Sequence, residues 1–483
     1  MNSIWRVERA ACLSIIVDAD DYFRFAREAM INAKKRIMLV GWDFDARVQL
    51  VREGHMVGEP VQVGDFILWL VERNPDLEIY LLRWSMGAIQ SLFRGNTAIK
   101  VLKWMRHPRI FTKLDSAHPL GASHHQKIIV IDDHFAFCGG IDVTAERWDT
   151  REHRDDDDRR LDPNGKKYGP WHDASSALQG PAAMALAELA RERWVRAGGR
   201  AITPVTDAAS AWPQTLPVDF TDVEVGIART MASWNGDSEL REIENLFVDQ
   251  IAGAQHFIYA ESQYFASRRI AEAIAKRLDE ENGPEIVLMN PLSAQGWLEP
   301  MAMDTARARL VAALQHRDKW RRFRIYHPLT SRGEGIYIHA KVMMIDDHTL
   351  RIGSANMNNR SLGLDTECDI VLSASRPGDK RCVALIRDGL LAEHLGVSRE
   401  RVTKDIEDNN SLIGCIERLN GKGRLRPYEV PNLSAIEAWL ADNEVLDPES
   451  AQEMFEVATR RGLLDRLRHG RFSRHRGAGS ATQ

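Results

Sequence analysis

The sequence has no excess of positive charge. It sets 64 lysines and arginines against 69 acidic residues, a formal net charge of −5. That balance supplies no global field to neutralise a nucleic-acid backbone and argues against such a partner, leaving at most a local basic groove. Cysteine is scarce. Cys12, Cys138, Cys368, Cys382 and Cys415 are scattered, odd in number and form no C-x-x-C pair. This argues against a disulfide framework or a cysteine-held zinc site and fits a reducing compartment. No run approaches the roughly 20 apolar residues that a bilayer-spanning helix needs. The apolar stretch Ala10–Val17 is broken by Ser14 and runs into Asp18, Asp20 and Asp21, with no small-residue cleavage site, so it does not read as a signal peptide. The expectation is a cytoplasmic protein, peripheral at a membrane if it meets one, with export by a leaderless route left open.

What is present is ordinary globular material: 44% hydrophobic and 28% charged residues in a chain of 483. At roughly 150 residues per domain that length suggests about three domain-sized pieces. The chain also repeats itself. Ser123–Val143 reads SHHQKIIVIDDHFAFCGGIDV and Tyr337–Met357 reads YIHAKVMMIDDHTLRIGSANM. The two align without a gap. Each reads as an apolar strand, a polar turn at Asp-Asp-His and a second strand ending in small residues. Upstream, amphipathic segments at Ala19–Ala33 and Ser238–Ala252 feed the apolar runs Ala33–Asp45 and Ala254–Phe265. Asp65–Arg73 into Glu78–Arg83, and Arg268–Glu280 into Glu285–Asn290, repeat the helix–strand alternation. Such alternation predicts an α/β fold, a sheet covered by helices. The Gly- and Pro-rich stretch Gly198–Asp219 is the expected boundary between the halves. The expected divisions are residues 1–205, 206–396 and a helical extension over 397–483, whose last stretch, Arg460–Gln483, is basic. That tail reads as a solvated end or as a patch for anionic lipid.

His125 and Lys127 lie two apart in a strand-like segment, so they share one face. His339 and Lys341 repeat the arrangement. If the halves pack face to face, two imidazoles and two ammonium groups converge, and an anion such as phosphate would satisfy them. Two histidines suit a two-step displacement at phosphorus. One attacks as a neutral nucleophile; the other donates a proton to the departing oxygen and then activates water or an alcohol. The lysines would stabilise charge on the non-bridging oxygens. The scheme requires no metal and no cofactor. Asp132 and Asp346 stand five residues after each lysine, on the opposite parity and at the turn, and are read as ties of that turn. Gly139, Gly140, Gly353 and Ser354 would let the backbone approach a ligand closely. Asn356 could donate to a phosphate oxygen. Its counterpart Asp142 could not when ionised, so the halves should be chemically unequal. His124, His134 and His348 are read as structural, and the acidic run Asp155–Asp158 as a solvated loop, because it lacks a calcium-loop pattern.

These residues resemble the phospholipase D superfamily, whose signature is His-x-Lys, four residues, Asp, then six residues and a Gly-[Ser/Gly]-x-[Asn/Asp] ending. The chain matches it twice: His125, Lys127, Asp132, Gly139, Gly140, Asp142, and His339, Lys341, Asp346, Gly353, Ser354, Asn356. The segments Ala136–His153, GPWHD at Gly169–Asp173, ESQYF at Glu261–Phe265 and Ile352–Ser361 look like the eukaryotic-type enzymes and their bacterial relatives. The resemblance implies two pseudo-symmetric α-β-α sandwich halves sharing one active site at their interface. It implies that His125 is the nucleophile and His339 the acid and base, a distinction on which the residues themselves are symmetric. It implies that Asp173 and Glu367, each downstream of a motif, orient the histidines, and that an acyl-chain site lies nearby. Trp42, Phe44, Trp148, Trp171, Tyr264 and Phe265 are candidates to line that site. The implied function is hydrolysis of phosphatidylcholine-like phospholipids to phosphatidic acid and an alcohol, with transphosphatidylation. The partners implied are a bilayer surface or lipid aggregate and water or a small alcohol; the oligomeric state stays open. The rivals are a cardiolipin-synthase-like phosphatidyltransferase, a nuclease or other phosphodiesterase, and a lipid-binding scaffold without activity.

Overall fold

Strands form where short apolar runs meet turn residues, and the two Asp-Asp-His turns show how. Asp132 and Asp346 adopt φ of 49° and 51°, the left-handed region that aspartate tolerates better than most residues. Each reverses the chain between two short buried strands. The structure, a computed structural model, describes residues 3–53, 58–84, 97–207, 210–293 and 299–431. The basic tail Arg460–Gln483 therefore lies outside the described residues.

The first half contributes β1 (Arg6–Val17), β2 (Arg36–Gly41), β3 (Glu78–Trp84), β4 (Ile110–Asp115), β5 (Ile128–Ile131), β6 (Phe135–Gly139), β7 (Trp171–His172) and β8 (Ala174–Gln179). The second contributes β9 (Phe220–Met231), β10 (Leu240–Arg241), β11 (Phe257–Glu261), β12 (Glu285–Met289), β13 (Phe323–Pro328), β14 (Tyr337–Ile338), β15 (Val342–Ile345), β16 (Thr349–Gly353), β17 (Glu367–Ser373) and β18 (Leu425–Pro427). From the middle outward, β1-β8-β6-β5-β2-β3-β4 on one side is repeated by β9-β17-β16-β15-β11-β12-β13 on the other. β1 and β9 pair antiparallel, from Arg6 opposite Ile227 to Leu13 opposite Phe220. One mixed sheet thus runs through both halves, parallel at its outer strands and antiparallel at its centre.

Period-two alternation decides which core each side chain enters. In β2, Ile37 and Leu39 pack with the helices Ala19–Asn32 and Val63–Arg73. Met38 and Val40 point to the other face. The second half repeats this, with Ile258 and Ala260 against the helices Glu242–Gly253 and Arg268–Leu278. On the opposite face the core is common to both halves. It packs Met38, Val40, Val130 and Cys138 together with Tyr259, Val287, Met344 and Ile352, under the helices Pro181–Arg196 and Pro377–Leu395. The Gly198–Asp219 stretch carries no helix or strand among its described residues. Helices Arg399–Asn409 and Leu412–Leu419 follow, and β18 then pairs antiparallel with β13. The region after residue 397 is therefore not helical throughout: its apolar Leu425 closes the sheet edge beside Pro328. No described helix is long and apolar enough to cross a membrane.

Candidate active site

The segments that follow the sheet interface bring the two repeats together. His124 bridges in parallel to Thr366, and β14 pairs in parallel with β7. His125 N–H donates to Thr366 O at 2.9 Å, and His339 N–H to His172 O at 2.7 Å. Each His-x-Lys segment thus lies beside the chain of the opposite half. The consequence is an exchange of carboxylates. His125 Nδ1 sits 2.9 and 3.0 Å from the oxygens of Glu367, and His339 Nδ1 sits 2.6 Å from Asp173 Oδ2. Glu367 and Asp173 thus each stand at the histidine of the other half. The parallel bridges are the reason, because they set residue 125 beside 367 and residue 339 beside 173. With Nδ1 engaged on both rings, Nε2 is the nitrogen left for chemistry.

Both histidines line one cavity of about 350 Å³, together with Trp42, Trp84, Asp142, Arg147, Trp171, Gln263, Tyr264, Asn356, Asn358 and Arg360. Lys127 Nζ lies 3.1 Å from Asp142 Oδ2 and donates to His125 O at 2.9 Å. Lys341 Nζ donates to His339 O. Asn356, which replaces Asp142 in the repeat, lines the cavity and places Nδ2 3.4 Å from Gln263 Oε1. The halves are therefore unequal in charge, as the Asp–Asn difference predicts.

Burial and the neighbouring lysines hold both imidazoles well below their ordinary pKa. At His125 the cations are Lys127 and Lys341; at His339 they are Lys341, Arg147 and Lys127. Burial pushes the Lys341 ammonium down to about 7 against the opposing pull of Asp173. Burial likewise pushes the Glu367 carboxyl up to about 8, against Lys127. Removing water from like charges has this sign. A phosphodiester anion among the same groups pulls the Lys341 ammonium and both rings back up, and pushes the Glu367 carboxyl higher still.

Several expected site residues do other work. Asp132 does not face the cavity. Its carboxylate accepts the backbone N–H groups of Lys34, Lys35 and Arg36, each at 2.7 Å. Asp346 does the same for Gln255, His256 and Phe257 at 3.0, 2.7 and 2.7 Å. Both tie the turn to the start of the adjacent strand and take no catalytic position. Gly140 leaves space for a side chain of the protein rather than for a ligand: a Cβ there would lie 2.2 Å from Asp173 Oδ1. Ser354 is fully buried, and its hydroxyl donates to Glu367. It holds the carboxylate instead of binding phosphate. Of the aromatic candidates, Trp42, Trp171 and Tyr264 line this cavity, Phe44 lines a neighbouring apolar one, and Trp148 and Phe265 pack in the cores. The acidic run is ion-paired: Asp155 accepts from Thr330 and Ser331, and Asp157 holds Arg159 at 2.7 Å.

Arg147 is the residue that motif reading missed. Its guanidinium stacks 4.1 Å from the Trp171 ring at the cavity wall. It sits in a loop, where periodicity carries no direction. Trp84, the last residue of β3 and 5.7 Å from Trp42 in a stacked pair, was missed because the expected strand stopped one residue short, and Arg360, on a single π-helical turn at Arg360–Leu364, because that turn has no strand or helix pattern. Such turns recur at functional sites.

A family model described as "Phospholipase D" matches residues 29–236, and one described as "Cardiolipin synthase, PLD-like domain" matches residues 247–380. Phospholipase D A of Dictyostelium discoideum is 25% identical over 427 residues, covering 72% of this chain and 32% of that protein. Phospholipase D1 of Schizosaccharomyces pombe is 25% identical over 504 residues, covering 80% of this chain and 35% of that protein. The chain spans about a third of the length of these curated relatives. The solved structure of phosphatidylserine synthase from Haemophilus influenzae Rd KW20 superposes with a TM-score of 0.56 at 12% identity, over 86% of this chain and 97% of that one, a likeness of fold. Each family match holds one of the two His-x-Lys repeats, and on the two together this chain belongs to the phospholipase D superfamily.

Proposed function

We propose that the protein is a phospholipase D: it hydrolyses the terminal phosphodiester of phosphatidylcholine-like phospholipids, giving phosphatidic acid and an alcohol. The observation that carries this reading is the single cavity lined by both imidazoles, each fixed through Nδ1 by a carboxylate. In the first step His125 Nε2 attacks phosphorus, the bond to the headgroup oxygen breaks, and His339 donates its proton to that oxygen. In the second step His339 takes a proton from water or an alcohol, whose oxygen attacks phosphorus and releases His125. Lys127, Lys341 and Arg147 face the growing charge on the non-bridging oxygens. Burial and the neighbouring cations favour the neutral imidazole that a nucleophile needs, and the bound anion offsets them where His339 must carry a proton.

Two further features support a lipid substrate. A second cavity of about 240 Å³ is lined by Leu39, Leu82, Val101, Trp104, Leu114 and Val143 and reaches Lys127 and Asp142, which suits an acyl chain. Beside it Met105 and Leu114 are 64% and 46% exposed, and Leu120 is 75% exposed. Exposed apolar side chains on a helix, the edge strand and the turn after it suit contact with a membrane surface.

A second reading, phosphatidyl transfer to another alcohol, uses the same site and draws on the description of the family matching residues 247–380. One panel separates them: purified protein with phosphatidylcholine, phosphatidylglycerol and single-stranded DNA, each with and without ethanol. Phosphatidic acid from phosphatidylcholine, and phosphatidylethanol when ethanol is present, is the expected result. Cardiolipin as the main product from phosphatidylglycerol would favour the second reading, and cleavage of DNA alone would overturn both.

A further inference from the structure

Outside the cavity, four side chains from four separate segments converge: Asp18 after β1, His153, His172 in β7, and Glu393 near the end of the helix Pro377–Leu395. One ligand atom of each lies within 4.8 Å of all the others. His153 Nε2 is 3.1 Å from Glu393 Oε1 and 3.6 Å from Asp18 Oδ2. His172 Nδ1 is 2.9 Å from Glu393 Oε1 and 3.2 Å from Asp18 Oδ1. Zinc bonds of about 2.0–2.1 Å in a tetrahedron place ligand atoms about 3.3–3.4 Å apart. The side chains are all but sealed from solvent, at 0–3% exposure.

The outer contacts hold each ligand from behind. His153 gives its other nitrogen to Asp149 at 3.0 Å, and His172 gives its own to Glu261 at 2.9 Å. Carboxylates behind histidines in this way are typical of metal ligands. Glu261 is itself fixed by Tyr259 at 2.6 Å and His394 at 2.9 Å, and Asp149 by the Trp171 N–H at 2.9 Å. Arg151 holds the second oxygen of Glu393 at 2.6 Å, and the Asp173 N–H is 3.1 Å from Asp18 Oδ1. What remains points inward. Asp18 Oδ2 and His172 Nδ1 are buried and have no well-aligned hydrogen bond, only the contacts to their fellow ligands given above.

We propose that Asp18, His153, His172 and Glu393 bind one Zn²⁺ as a closed structural site. The two imidazole and two carboxylate donors, with four contacts of 2.9–3.6 Å among them, suit zinc better than calcium or magnesium. The site has no open position and takes no part in the chemistry. It pins His172, whose neighbour Asp173 orients His339, and it clamps the last helix of the second half onto three segments of the first.

The test is metal content of the full chain, purified without chelator and with any affinity tag removed. Elemental analysis should find about one zinc per chain, because closed sites of this kind bind tightly. Stripping with a chelator should lower the Tm by several degrees, and Zn²⁺ should restore it. Glu393→Gln and His153→Gln should lose the metal, whereas His125→Asn should keep it. Should those variants fail to fold, Co²⁺ added to the stripped wild-type chain should give the visible absorption of a tetrahedral site. A chain that carries no zinc, takes up none and shows no Co²⁺ spectrum has a buried ion-pair network there instead. Zinc retained in both folded variants would equally overturn the assignment.

Discussion

A buried ammonium group loses the hydration that keeps it charged, and Lys341 sits where that loss meets a reaction needing positive charge. With its pKa pushed down to about 7, Lys341 is charged below that pH and neutral above it. The sign follows: kcat/KM, which reports the free enzyme, falls on the alkaline side with an apparent pKa of about 7. In the enzyme–substrate complex the phosphodiester anion raises the lysine again, so the alkaline limb of kcat lies at higher pH. Paired pH profiles of kcat/KM and kcat check this, and coincident limbs would contradict it. The two halves differ beside the other lysine: Lys127 Nζ stands 3.1 Å from Asp142 Oδ2, where the second repeat has Asn356. That inequality was legible in the sequence, where Asp142 in one repeat becomes Asn356 in the other. Arg147 was not, because nothing local in a loop says where a side chain points.

At the scale of elements, the repeat is held by short polar contacts. Asp346 accepts three backbone N–H groups at the start of β11. Asp346→Ala leaves all three without that acceptor and puts a Cβ residue of poorer tolerance at φ 51°. The expected cost is about 3 kcal/mol in urea unfolding, with folded enzyme still active at low temperature. An unchanged unfolding midpoint would refute the tie. Gly140→Ala acts through the site instead. Its Cβ would lie 2.2 Å from Asp173 Oδ1, so the carboxylate must leave His339. We expect kcat to fall about 100-fold or more, as for a displaced orienting group, with the Tm little changed. Normal turnover would show that Asp173 does not set the ring. Sequence periodicity located the helix–strand pairs within a few residues, because their apolar faces are amphipathic. It missed β1, the strand that joins the halves, because Arg6–Val17 has no regular alternation and is buried by partners more than 150 residues away. Nor could spacing say which histidine Asp173 or Glu367 serves, since it cannot report a parallel bridge between distant segments.

Across the whole molecule, the sheet makes the two repeats one unit. β1 and β9 join at its centre, and one core lies under both halves. Neither half holds a complete site, because each histidine takes its carboxylate from the other. The central claim is that His125 attacks one phosphorus centre while His339 supplies and removes the proton. Mass spectrometry of His339→Asn, quenched after brief exposure to a phosphatidyl ester of p-nitrophenol, tests it most directly, because that leaving group needs no proton donor. The expected result is a burst of p-nitrophenolate, stoichiometric with enzyme, and a phosphatidyl adduct on the peptide carrying His125. An adduct on any other residue, or sustained turnover in His125→Asn, would contradict it.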